Sequence, residues 1–360
     1  MEKYINEPLV IDTSVPNGNY EVTLSVKAHT DTVYSVYTQN RRFAVIDEKI
    51  KAGEEREHTL IVNVCDYKRR DAEFKVAGVK ISIACDGDIT VTSAVSPADA
   101  PTLYIIGDST VTDQPAEYPY TPHKTYCGWG QVMPMLLNTV AVSNHAESGS
   151  TTGETRKIHF TAIADKLKAG DFLMMEFGHN DQKEDSLKAF GGYIENLRYF
   201  IDFAREKGAV PIVNSPINRI IFNSDDTILN LLGEYRDAAE AVSREKNTAF
   251  IDMWTATTEF FEPLGLYTAK RYFRYDGDSQ DYTHTNDIGG VIAAKMCAGM
   301  IKSAGIKGLS EYVLADRLDI EKPKLEPNAP KEYNYQEFTR LKSIGMGEVP
   351  ADLDEDISHI

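Results

Sequence analysis

The sequence predicts an α/β protein: a small all-β sandwich, followed by a parallel sheet that carries helices on both faces. Three features support this fold class. The first hundred residues contain short runs in which apolar and polar residues alternate, as in strands with one buried face. The next two hundred contain short, almost continuous apolar runs separated by amphipathic helical patterns, which is typical of a buried parallel sheet. The segment 96–101 between them contains two prolines and predicts a linker.

These boundaries divide the chain into three parts. We predict a β-sandwich domain at 1–100, an α/β domain at 101–307 and a C-terminal extension at 308–360. The extension is charged and contains prolines, so we expect it to wrap around the body and to be partly disordered.

The charge balance excludes several classes of protein. The chain of 360 residues has 38 Lys and Arg against 55 Asp and Glu, a net charge of −17. A field of this sign repels nucleic acid and anionic membranes. No run approaches the roughly 20 apolar residues of a membrane span, and residues 1–8 lack the apolar run of a signal peptide. We therefore expect a cytoplasmic protein with no nucleic-acid or membrane partner. Four widely spaced cysteines are expected to be reduced core thiols: Cys65, Cys85, Cys127 and Cys297.

The sandwich is predicted from three alternating runs, at 20–26, 59–64 and 79–83. A turn signal, Asp86-Gly87, separates the end of the third run from a further alternating run that begins at Ile89. An Asp-Gly pair between two such runs is a strong hairpin signal. We therefore predict that the two flanking strands pair with each other.

The parallel sheet is predicted from five apolar runs, and helices are predicted around them. The strands are expected at 103–106, 140–142, 172–177, 210–213 and 249–252, and the helices at 187–207, 229–246 and 286–304. In parallel sheets of this kind, ligands bind beyond the carboxyl ends of the strands. The residues that follow each strand are therefore the first candidates for a functional site.

Polar motifs follow the first three of these strands. Ser109 follows the first, where a serine facing the crevice can act as a nucleophile and its own N–H can face a developing oxyanion. Gly149 follows the second, and a glycine allows its backbone N–H to approach a substrate closely. Asn180 follows the third, and its side-chain amide can donate to the same oxyanion. Each motif alone is also compatible with an ordinary turn or cap.

A fourth motif, Asp281-Tyr-Thr-His284, comes just before the last predicted helix. On a turn or a first helical turn, two residues at this spacing can contact, so the carboxylate can fix the tautomer of an imidazole base. An isolated pair of this kind often only ties down a loop. Together, however, the four motifs supply a nucleophile, a base, an orienting acid and three oxyanion donors. The G-x-S-x-G elbow of α/β-hydrolases is missing around Ser109, so we predict a different hydrolase type.

At these residues the sequence resembles the SGNH (GDSL-like) hydrolase superfamily, which is named for its Ser, Gly, Asn and His. The matching blocks are Gly-Asp-Ser-Thr at 107–110, Glu-Ser-Gly-Ser at 147–150, Gly-His-Asn-Asp at 178–181 and Asp-Tyr-Thr-His at 281–284. Gly-Trp-Gly at 128–130, Glu-Phe-Gly-His-Asn-Asp at 176–181 and an all-β domain ahead of the blocks resemble the rhamnogalacturonan acetylesterase branch. The blocks lie within 103–304.

The resemblance implies both a fold and an activity. The fold would be a three-layer α/β/α flavodoxin-like domain with a five-stranded parallel sheet, acting without a metal or another cofactor. The protein would be a serine esterase that removes acetyl groups from plant cell-wall oligosaccharides, rhamnogalacturonan or xylan fragments. Ser109 would be the nucleophile, His284 the general acid and base, and Asp281 its partner. The oxyanion hole would be formed by the N–H groups of Ser109 and Gly149 and the amide of Asn180.

Charge bears on the choice of substrate. Rhamnogalacturonan is an acidic polymer, and a chain with a net charge of −17 attracts it poorly unless basic residues near the site compensate. Candidates for this role are Arg156, Arg219, Lys270 and Arg271. Tyrosines in the polar loops after the strands would suit sugar rings: Tyr267, Tyr272, Tyr275 and Tyr282.

Three alternatives stay open. A metal-dependent hydrolase could use His179, Asp181, Asp281 and His284, although no HxH or HExxH arrangement occurs. A lipase or thioesterase could act on other short acyl esters. A non-catalytic saccharide-binding protein would carry its ligand on the β-domain, for which we favour a structural role. A homo-oligomeric assembly is also open.

Overall fold

The computed structural model describes residues 7–339, except positions 71, 117, 119, 322, 324, 326–328, 335, 336 and 338. The first part of the described chain consists of nine strands. They are β1 (Leu9–Thr13), β2 (Gly18–Ala28), β3 (Thr32–Thr38), β4 (Arg42–Ile50), β5 (Glu55–Val64), β6 (Tyr67–Arg69), β7 (Ala72–Phe74), β8 (Val79–Cys85) and β9 (Ile89–Pro97). The three predicted alternating runs lie within β2, β5 and β8.

These strands form the predicted sandwich from two antiparallel layers. One layer is a four-stranded sheet in the order β1-β8-β3-β4, and the other is formed by β5, β2 and β9. Alternate residues of β2, such as Val22, Leu24 and Val26, are buried against Tyr34 of β3 and Ile81 of β8, among other apolar residues. The period-two pattern is therefore explained by a core between the two layers.

The hairpin predicted at Asp86-Gly87 is wrong. The turn exists, but β8 pairs with β1 and β3, whereas β9 pairs with β2 in the other layer. Asp86 Oδ1 accepts a hydrogen bond of 2.7 Å from the backbone N–H of Val33. A Cβ at Gly87 would lie 2.2 Å from Thr32 Oγ1, so the chain passes too close to β3 for a larger residue. The Asp86-Gly87 turn therefore connects β8 in one layer of the sandwich with β9 in the other layer.

The second part of the chain contains the parallel sheet and its helices. The strands are β10 (Thr102–Gly107), β11 (Ala141–Asn144), β12 (Phe172–Glu176), β13 (Val210–Asn214) and β14 (Ala249–Ile251), followed by a hairpin of β15 (Phe273–Tyr275) and β16 (Gln280–Thr285). The helices are α1 (Met133–Leu136), α2 (Thr152–Lys157), α3 (Ile194–Glu206), α4 (Gly233–Glu245), α5 (Met253–Phe261), α6 (Gly265–Ala269) and α7 (Asp287–Ala304).

The five parallel strands lie in the order β11-β10-β12-β13-β14, which is the order of a flavodoxin-like sheet. Helices cover both faces. Leu103 and Ile105 of β10 pack in a cluster with α1 and α7, whereas Tyr104 and Ile106 pack in a second cluster with α3 and α4. The predicted fold class, a flavodoxin-like α/β/α domain preceded by a β-sandwich, is therefore confirmed.

The two parts share one sheet. β5 pairs with β11 in parallel through Val62 and Val142, so the layer β9-β2-β5 continues the parallel sheet to eight strands. Tyr37 and Phe43 of the sandwich are buried in the same cluster as α1 and α7. The boundary predicted near residue 100 thus runs through a continuous sheet, and the domain limits stay a prediction.

Two helices begin later than predicted. The run predicted from 187 begins with a π-type turn at Ala189–Tyr193, in which Gly191 has non-helical angles, before α3 starts. The helix predicted from 229 starts at Gly233, whose N–H donates to Asn230 Oδ1 at 2.8 Å. Glycines in the first case, and a glycine with an asparagine in the second, favour a turn over a first helical turn.

In the C-terminal extension, described residues contact the body, among them Asn334 and Lys331. Asn334 is buried, with its Oδ1 accepting from the N–H of Phe222 and its Nδ2 donating to the carbonyl of Ile220, both at 2.9 Å. Lys331 forms an ion pair with Asp226. We also predicted that the extension is partly disordered. Its last part, residues 340–360, lies outside the described residues. Within the described residues, no helix is both long and apolar enough to cross a membrane.

Candidate active site

The strand-end motifs meet at one cavity of about 460 Å³ beyond the carboxyl ends of the central strands. Ser109 follows β10, Gly149 follows β11 and Asn180 follows β12, and these three strands are neighbours in the sheet. Because parallel neighbours end at the same edge, motifs 30 to 40 positions apart in the sequence come together there. The cavity is lined by Ser109, Gln114, Tyr126, Ser148, Gly149, His179, Asn180, Lys183, Arg219, Asp281, Thr283 and His284.

Ser109, His284 and Asp281 form a continuous chain of hydrogen bonds. Ser109 Oγ lies 2.8 Å from Nε2 of His284, and Nδ1 of the same ring lies 2.8 Å from Asp281 Oδ2. The carboxylate selects the tautomer with hydrogen on Nδ1, which leaves Nε2 as an acceptor for the serine hydroxyl. The arrangement can therefore take a proton from Ser109 when its oxygen attacks a carbonyl carbon.

Asp281 is held in its ionised form. Burial opposes ionisation, but the hydrogen bond and charge of His284 and two backbone N–H groups outweigh it and hold the pKa of this carboxyl at about 2. Oδ1 accepts from the N–H groups of Thr283 and His284, at 2.7 and 2.8 Å. Asp281 is thus an anion at neutral pH, as a partner of an imidazolium has to be.

We expected the Asp281–His284 contact either on a turn or on a first helical turn, and the second expectation is wrong. Both residues lie on β16, the second strand of the hairpin, directly before α7. The Asp281 carboxylate turns towards the backbone N–H of His284, three residues further along the same strand. This contact places the imidazole of His284 beside the carboxylate. The short polar side chain of aspartate makes this local turn possible.

Gly149 lies on an exposed loop that requires glycine. Its φ of +76° is in the left-handed region, where other residues are strained. The guanidinium of Arg70, from the turn between β6 and β7, donates to the Gly149 carbonyl at 3.1 Å and to the Glu154 carboxylate. The N-terminal part of the chain therefore holds the loop that carries this candidate oxyanion donor.

Asn180 has an almost buried amide that is fixed at both ends. Nδ2 donates to the Ser150 carbonyl at 3.1 Å, and Lys183 Nζ donates to Oδ1 at 2.9 Å. An amide with its oxygen bound in this way has a defined orientation and presents a second N–H hydrogen for another acceptor. It suits the role of a preorganised donor.

A layer of buried polar side chains supports the site from below. Asp108 is fully buried and accepts from the N–H and hydroxyl of Thr110, at 2.9 and 2.8 Å. His179 Nδ1 lies 3.5 Å from Asp108 Oδ2, and burial lowers the pKa of the imidazole to about 4 despite that carboxylate. Glu176 accepts from the Trp129 indole at 2.5 Å, and burial together with the charge of Asp108 raises its pKa to about 8. These contacts fix the ends of β10 and β12 beneath Ser109.

Basic residues line the cavity, but only one of the four predicted candidates is among them. Arg219 lines it, and its guanidinium donates to the hydroxyl of Thr283 and the carbonyl of His179. Arg156 instead lies 3.9 Å from the ring centroid of Tyr199. The other two candidates, Lys270 and Arg271, are absent from the cavity lining, and Lys270 pairs with Glu332. The second lining cation, Lys183, was not predicted, because its place depends on the short turn after Asn180.

The four tyrosines expected to suit sugar rings do not line the cavity. Tyr272 is buried and Tyr282 packs beside it in a separate apolar cluster. The aromatic residue that lines the cavity is Tyr126, whose ring lies edge-to-face with His284 at 5.7 Å. Its hydroxyl lies 3.4 Å from Asp281 Oδ2. No periodic signal marks Tyr126 in the sequence, because it belongs to an irregular loop.

Three of the four residues of the metal alternative are engaged with other partners. Asp281 and His284 bond to each other, and Asp181 accepts from the N–H and hydroxyl of Thr152, at 2.9 and 2.5 Å. In the part of the chain that the structure describes, no group of three or more His, Cys, Asp and Glu side chains could hold a metal ion.

Comparisons with known proteins agree with this architecture. The model of the GDSL-like lipase/acylhydrolase family matches residues 105–290, just over half of the chain. The rhamnogalacturonan acetylesterase RhgT of Bacillus subtilis is 35% identical over 216 residues, which are 57% of this chain and 90% of that protein. The rhamnogalacturonan acetylesterase of Emericella nidulans is 27% identical over 245 residues, 61% of this chain and 91% of that protein.

A solved structure extends the similarity into the N-terminal strands. The crystal structure of YxiM from Bacillus subtilis has a TM-score of 0.54 and 25% identity, covering 84% of this chain and 82% of that one. The matched 84% of this chain is more than the α/β part alone contains, so the match includes N-terminal strands. Because the family model and a 35% identical relative agree, the chain belongs to the GDSL-like lipase/acylhydrolase family, and it is therefore an esterase.

Proposed function

We propose that this esterase is a carbohydrate acetylesterase that removes O-acetyl groups from plant cell-wall oligosaccharides. The observation that carries the proposal is the hydrogen-bond chain from Ser109 through His284 to Asp281 at the rim of the cavity. In a family of acylhydrolases, these three hydrogen-bonded side chains supply the nucleophile, the base and the orienting acid that ester hydrolysis needs.

The first half of the reaction forms an acetyl-enzyme. Ser109 Oγ adds to the acetyl carbonyl carbon while its proton passes to Nε2 of His284, and Asp281 stabilises the resulting imidazolium. The bond between the carbonyl carbon and the sugar oxygen then breaks, and the imidazolium returns the proton to that oxygen. In the second half, a water oxygen adds to the acetyl carbon while its proton passes to Nε2 of His284. The bond between that carbon and Ser109 Oγ then breaks, the imidazolium returns the proton to Oγ, and acetate leaves.

The negative charge on the carbonyl oxygen needs donors that are already in place. The N–H groups of Ser109 and Gly149 and the free N–H hydrogen of the Asn180 amide are proposed for this role. Removing one such donor typically costs about 3–4 kcal/mol of transition-state stabilisation. The contacts of Asn180 with Ser150 and Lys183, and of Gly149 with Arg70, support a preorganised hole.

Among saccharides, fragments of rhamnogalacturonan are favoured over xylan. Two relatives, RhgT and the Emericella enzyme, are named rhamnogalacturonan acetylesterases. The cavity also contains the cations Lys183 and Arg219, which suit an acidic saccharide although the chain as a whole carries −17.

The test is acetate release from defined acetylated rhamnogalacturonan and xylo-oligosaccharides, with the wild type and Ser109→Ala. We expect the wild type to release acetate, fastest from rhamnogalacturonan fragments, and Ser109→Ala to lose roughly 10³-fold or more of kcat, because the nucleophile is gone. A thermal melt of both proteins controls for folding.

Each other outcome removes part of the proposal. Faster release from xylo-oligosaccharides would overturn the preference for rhamnogalacturonan. Hydrolysis of p-nitrophenyl acetate alone would keep the serine mechanism and favour a lipase or thioesterase. Turnover that survives in Ser109→Ala would exclude Ser109 as the nucleophile.

A further inference from the structure

A second cavity, larger than the catalytic one, lies beside it and has no part in the hydrolysis described above. Its volume is about 650 Å³, and it opens between the N-terminal strands and the carboxyl end of β11. Its lining includes residues of the hairpin β6–β7, of the segment 75–80 that leads into β8, and of the segment 145–147 that follows β11.

The two cavities share two walls. In the segment 112–114, Thr112 and Asp113 line the larger cavity and Gln114 lines the catalytic one. In the segment 147–149, Glu147 lines the larger cavity, whereas the next two residues line the catalytic one. The two cavities therefore adjoin along these two segments, and a linear molecule seated at Ser109 would have its next residues close to the larger cavity.

The hairpin presents an aromatic and cationic face to this cavity. Tyr67 and Phe74 form a cross-strand pair whose rings stack at 4.9 Å, with 6° between their planes. The guanidinium of Arg69 lies 5.6 Å from the centroid of each ring and 3.1 Å from the Glu147 carboxylate. Phe74 is 37% exposed. Such flat apolar surfaces beside hydrogen-bond donors suit a sugar ring, which has an apolar C–H face and polar edges.

The lining is more basic than the protein as a whole. Its charged residues are Arg42, Lys68, Arg69, Lys75 and Lys80 on the basic side, and Asp12, Asp113 and Glu147 on the acidic side. The whole chain has the opposite balance, with 38 basic residues against 55 acidic ones. A local excess of cations in an acidic protein favours an anionic ligand.

Not all of these cations are compensated by carboxylates. Arg42 pairs with Asp113 at 2.8 Å, and Lys75 pairs with Asp66 and a neighbouring glutamate outside the cavity. Lys68 Nζ, in contrast, donates to the hydroxyl of Thr161 at 3.0 Å, a neutral partner. A cation with a neutral partner keeps its charge available for a sugar carboxylate.

We propose that this cavity is a second subsite, which binds a uronate-containing segment of an oligosaccharide whose acetylated sugar lies at Ser109. The inference rests on the proposed carbohydrate acetylesterase function and adds to it a role for the N-terminal β region. The aromatic face packs against a sugar ring, and the lysines attract its carboxylate.

The test compares substrates of different length. With the wild type, KM is measured for acetylated rhamnogalacturonan oligosaccharides of increasing length, for neutral acetylated xylo-oligosaccharides and for p-nitrophenyl acetate. We expect KM to fall with length for the acidic series only, and to rise again with added salt, because salt screens the attraction between lysines and uronates.

Phe74→Ala tests the cavity itself, with Phe190→Ala as the matched control. Phe190 is another exposed phenylalanine, 63% accessible, and lines neither cavity. We expect Phe74→Ala to raise the KM of the long acidic substrates roughly tenfold, much more than their kcat changes, and Phe190→Ala to behave as the wild type. Calorimetric titration of Ser109→Ala with deacetylated rhamnogalacturonan oligosaccharide should show a matching loss of affinity when Phe74→Ala is added.

The outcomes separate this inference from the proposed function. If short acetylated sugars are hydrolysed but KM is independent of length, or if the two phenylalanine variants behave alike, the subsite is overturned and the acetylesterase stands. A length effect of equal size for neutral chains would overturn the uronate specificity. If no acetylated saccharide is hydrolysed, the proposed function fails, and titration of Ser109→Ala with and without Phe74→Ala decides whether the cavity binds the acidic chain.

Discussion

Asp281 uses its two carboxylate oxygens for different tasks. Oδ2 faces the imidazole of His284, and Oδ1 accepts from the N–H groups of Thr283 and His284. The same side chain therefore folds the local backbone and selects the tautomer of the base. A residue that contacts both the ring and its backbone is hard to replace without losing one of these functions.

We expect Asp281→Asn to reduce kcat by about 10²–10⁴-fold with little change in fold. The amide retains an acceptor for the backbone, but its neutral group stabilises an imidazolium poorly and allows the wrong tautomer. Steady-state hydrolysis of p-nitrophenyl acetate measures the effect. Asp278→Asn, a change of the same chemistry at an exposed position of the same hairpin, is the control and should leave kcat unchanged. Equal activity of the two variants would contradict the role of Asp281.

The same substitution has a consequence for acid stability. The folded pKa of Asp281, about 2, lies below its ordinary value of 3.8, so ionised Asp281 stabilises the folded protein above about pH 4. This contribution is lost as the pH falls from 4 towards 2. The difference in free energy of unfolding between wild type and Asp281→Asn should therefore shrink over that range. A difference that grows on acidification would contradict the assigned pKa.

At the scale of elements, the start of α7 is joined to the hairpin that carries His284. Asn286 Oδ1 accepts from the N–H groups of Ile288 and Gly289, both at 3.0 Å, and caps the helix. Its Nδ2 donates to the carbonyls of Arg271 and Phe273, at 2.8 and 3.0 Å. The buried side chain of Asn286 therefore caps α7 and also binds the backbone at the start of the hairpin.

We expect Asn286→Ala to lower the free energy of unfolding by roughly 2–3 kcal/mol, because it removes a cap and leaves buried carbonyls without donors. Thr151→Ala at the cap of α2, where the side chain accepts one bond from Glu154, should cost only about 1 kcal/mol. Urea unfolding followed by circular dichroism compares the two variants. Similar losses would indicate that the hairpin bonds of Asn286 contribute nothing.

At the scale of the whole molecule, the sandwich is joined to the α/β part by a buried ion pair. Arg41, from the turn between β3 and β4, donates to both oxygens of Asp287, the first residue of α7. The same guanidinium donates to the carbonyls of Gln114 and Tyr126, residues that line the catalytic cavity. The N-terminal region therefore supports the site through its backbone as well as through the shared sheet.

We expect Arg41→Ala to lower the free energy of unfolding by about 3–5 kcal/mol, because the buried Asp287 loses its cation. Arg56→Ala is the control, since this arginine pairs with Glu54 at the surface and its loss should cost no more than about 1 kcal/mol. Urea unfolding measures both, and hydrolysis of p-nitrophenyl acetate shows whether the site is disturbed as well. Equal stability of the two variants would contradict a supporting role for the Arg41–Asp287 pair.

Local patterns in the sequence predicted the elements well, and the tertiary structure corrected what depended on distant contacts. The apolar runs of the five parallel strands lie within one or two residues of their observed bounds, because burial on both faces leaves a signal in each strand. The pairing after Asp86 was wrong, because a turn signal does not specify which layer the next strand joins. Lys270 was expected near the site and instead pairs with Glu332, a partner distant in sequence.

By itself, the sequence determined the class of the fold and five candidate site residues, because strand patterning and the order of strand-end motifs are local properties. Only the tertiary structure decided that β5 extends the parallel sheet, that Arg70 holds the Gly149 loop, and that a second cavity adjoins the first. These features join segments tens to hundreds of residues apart. Their partners are selected by packing and charge in three dimensions, for which a single sequence contains no periodic signal.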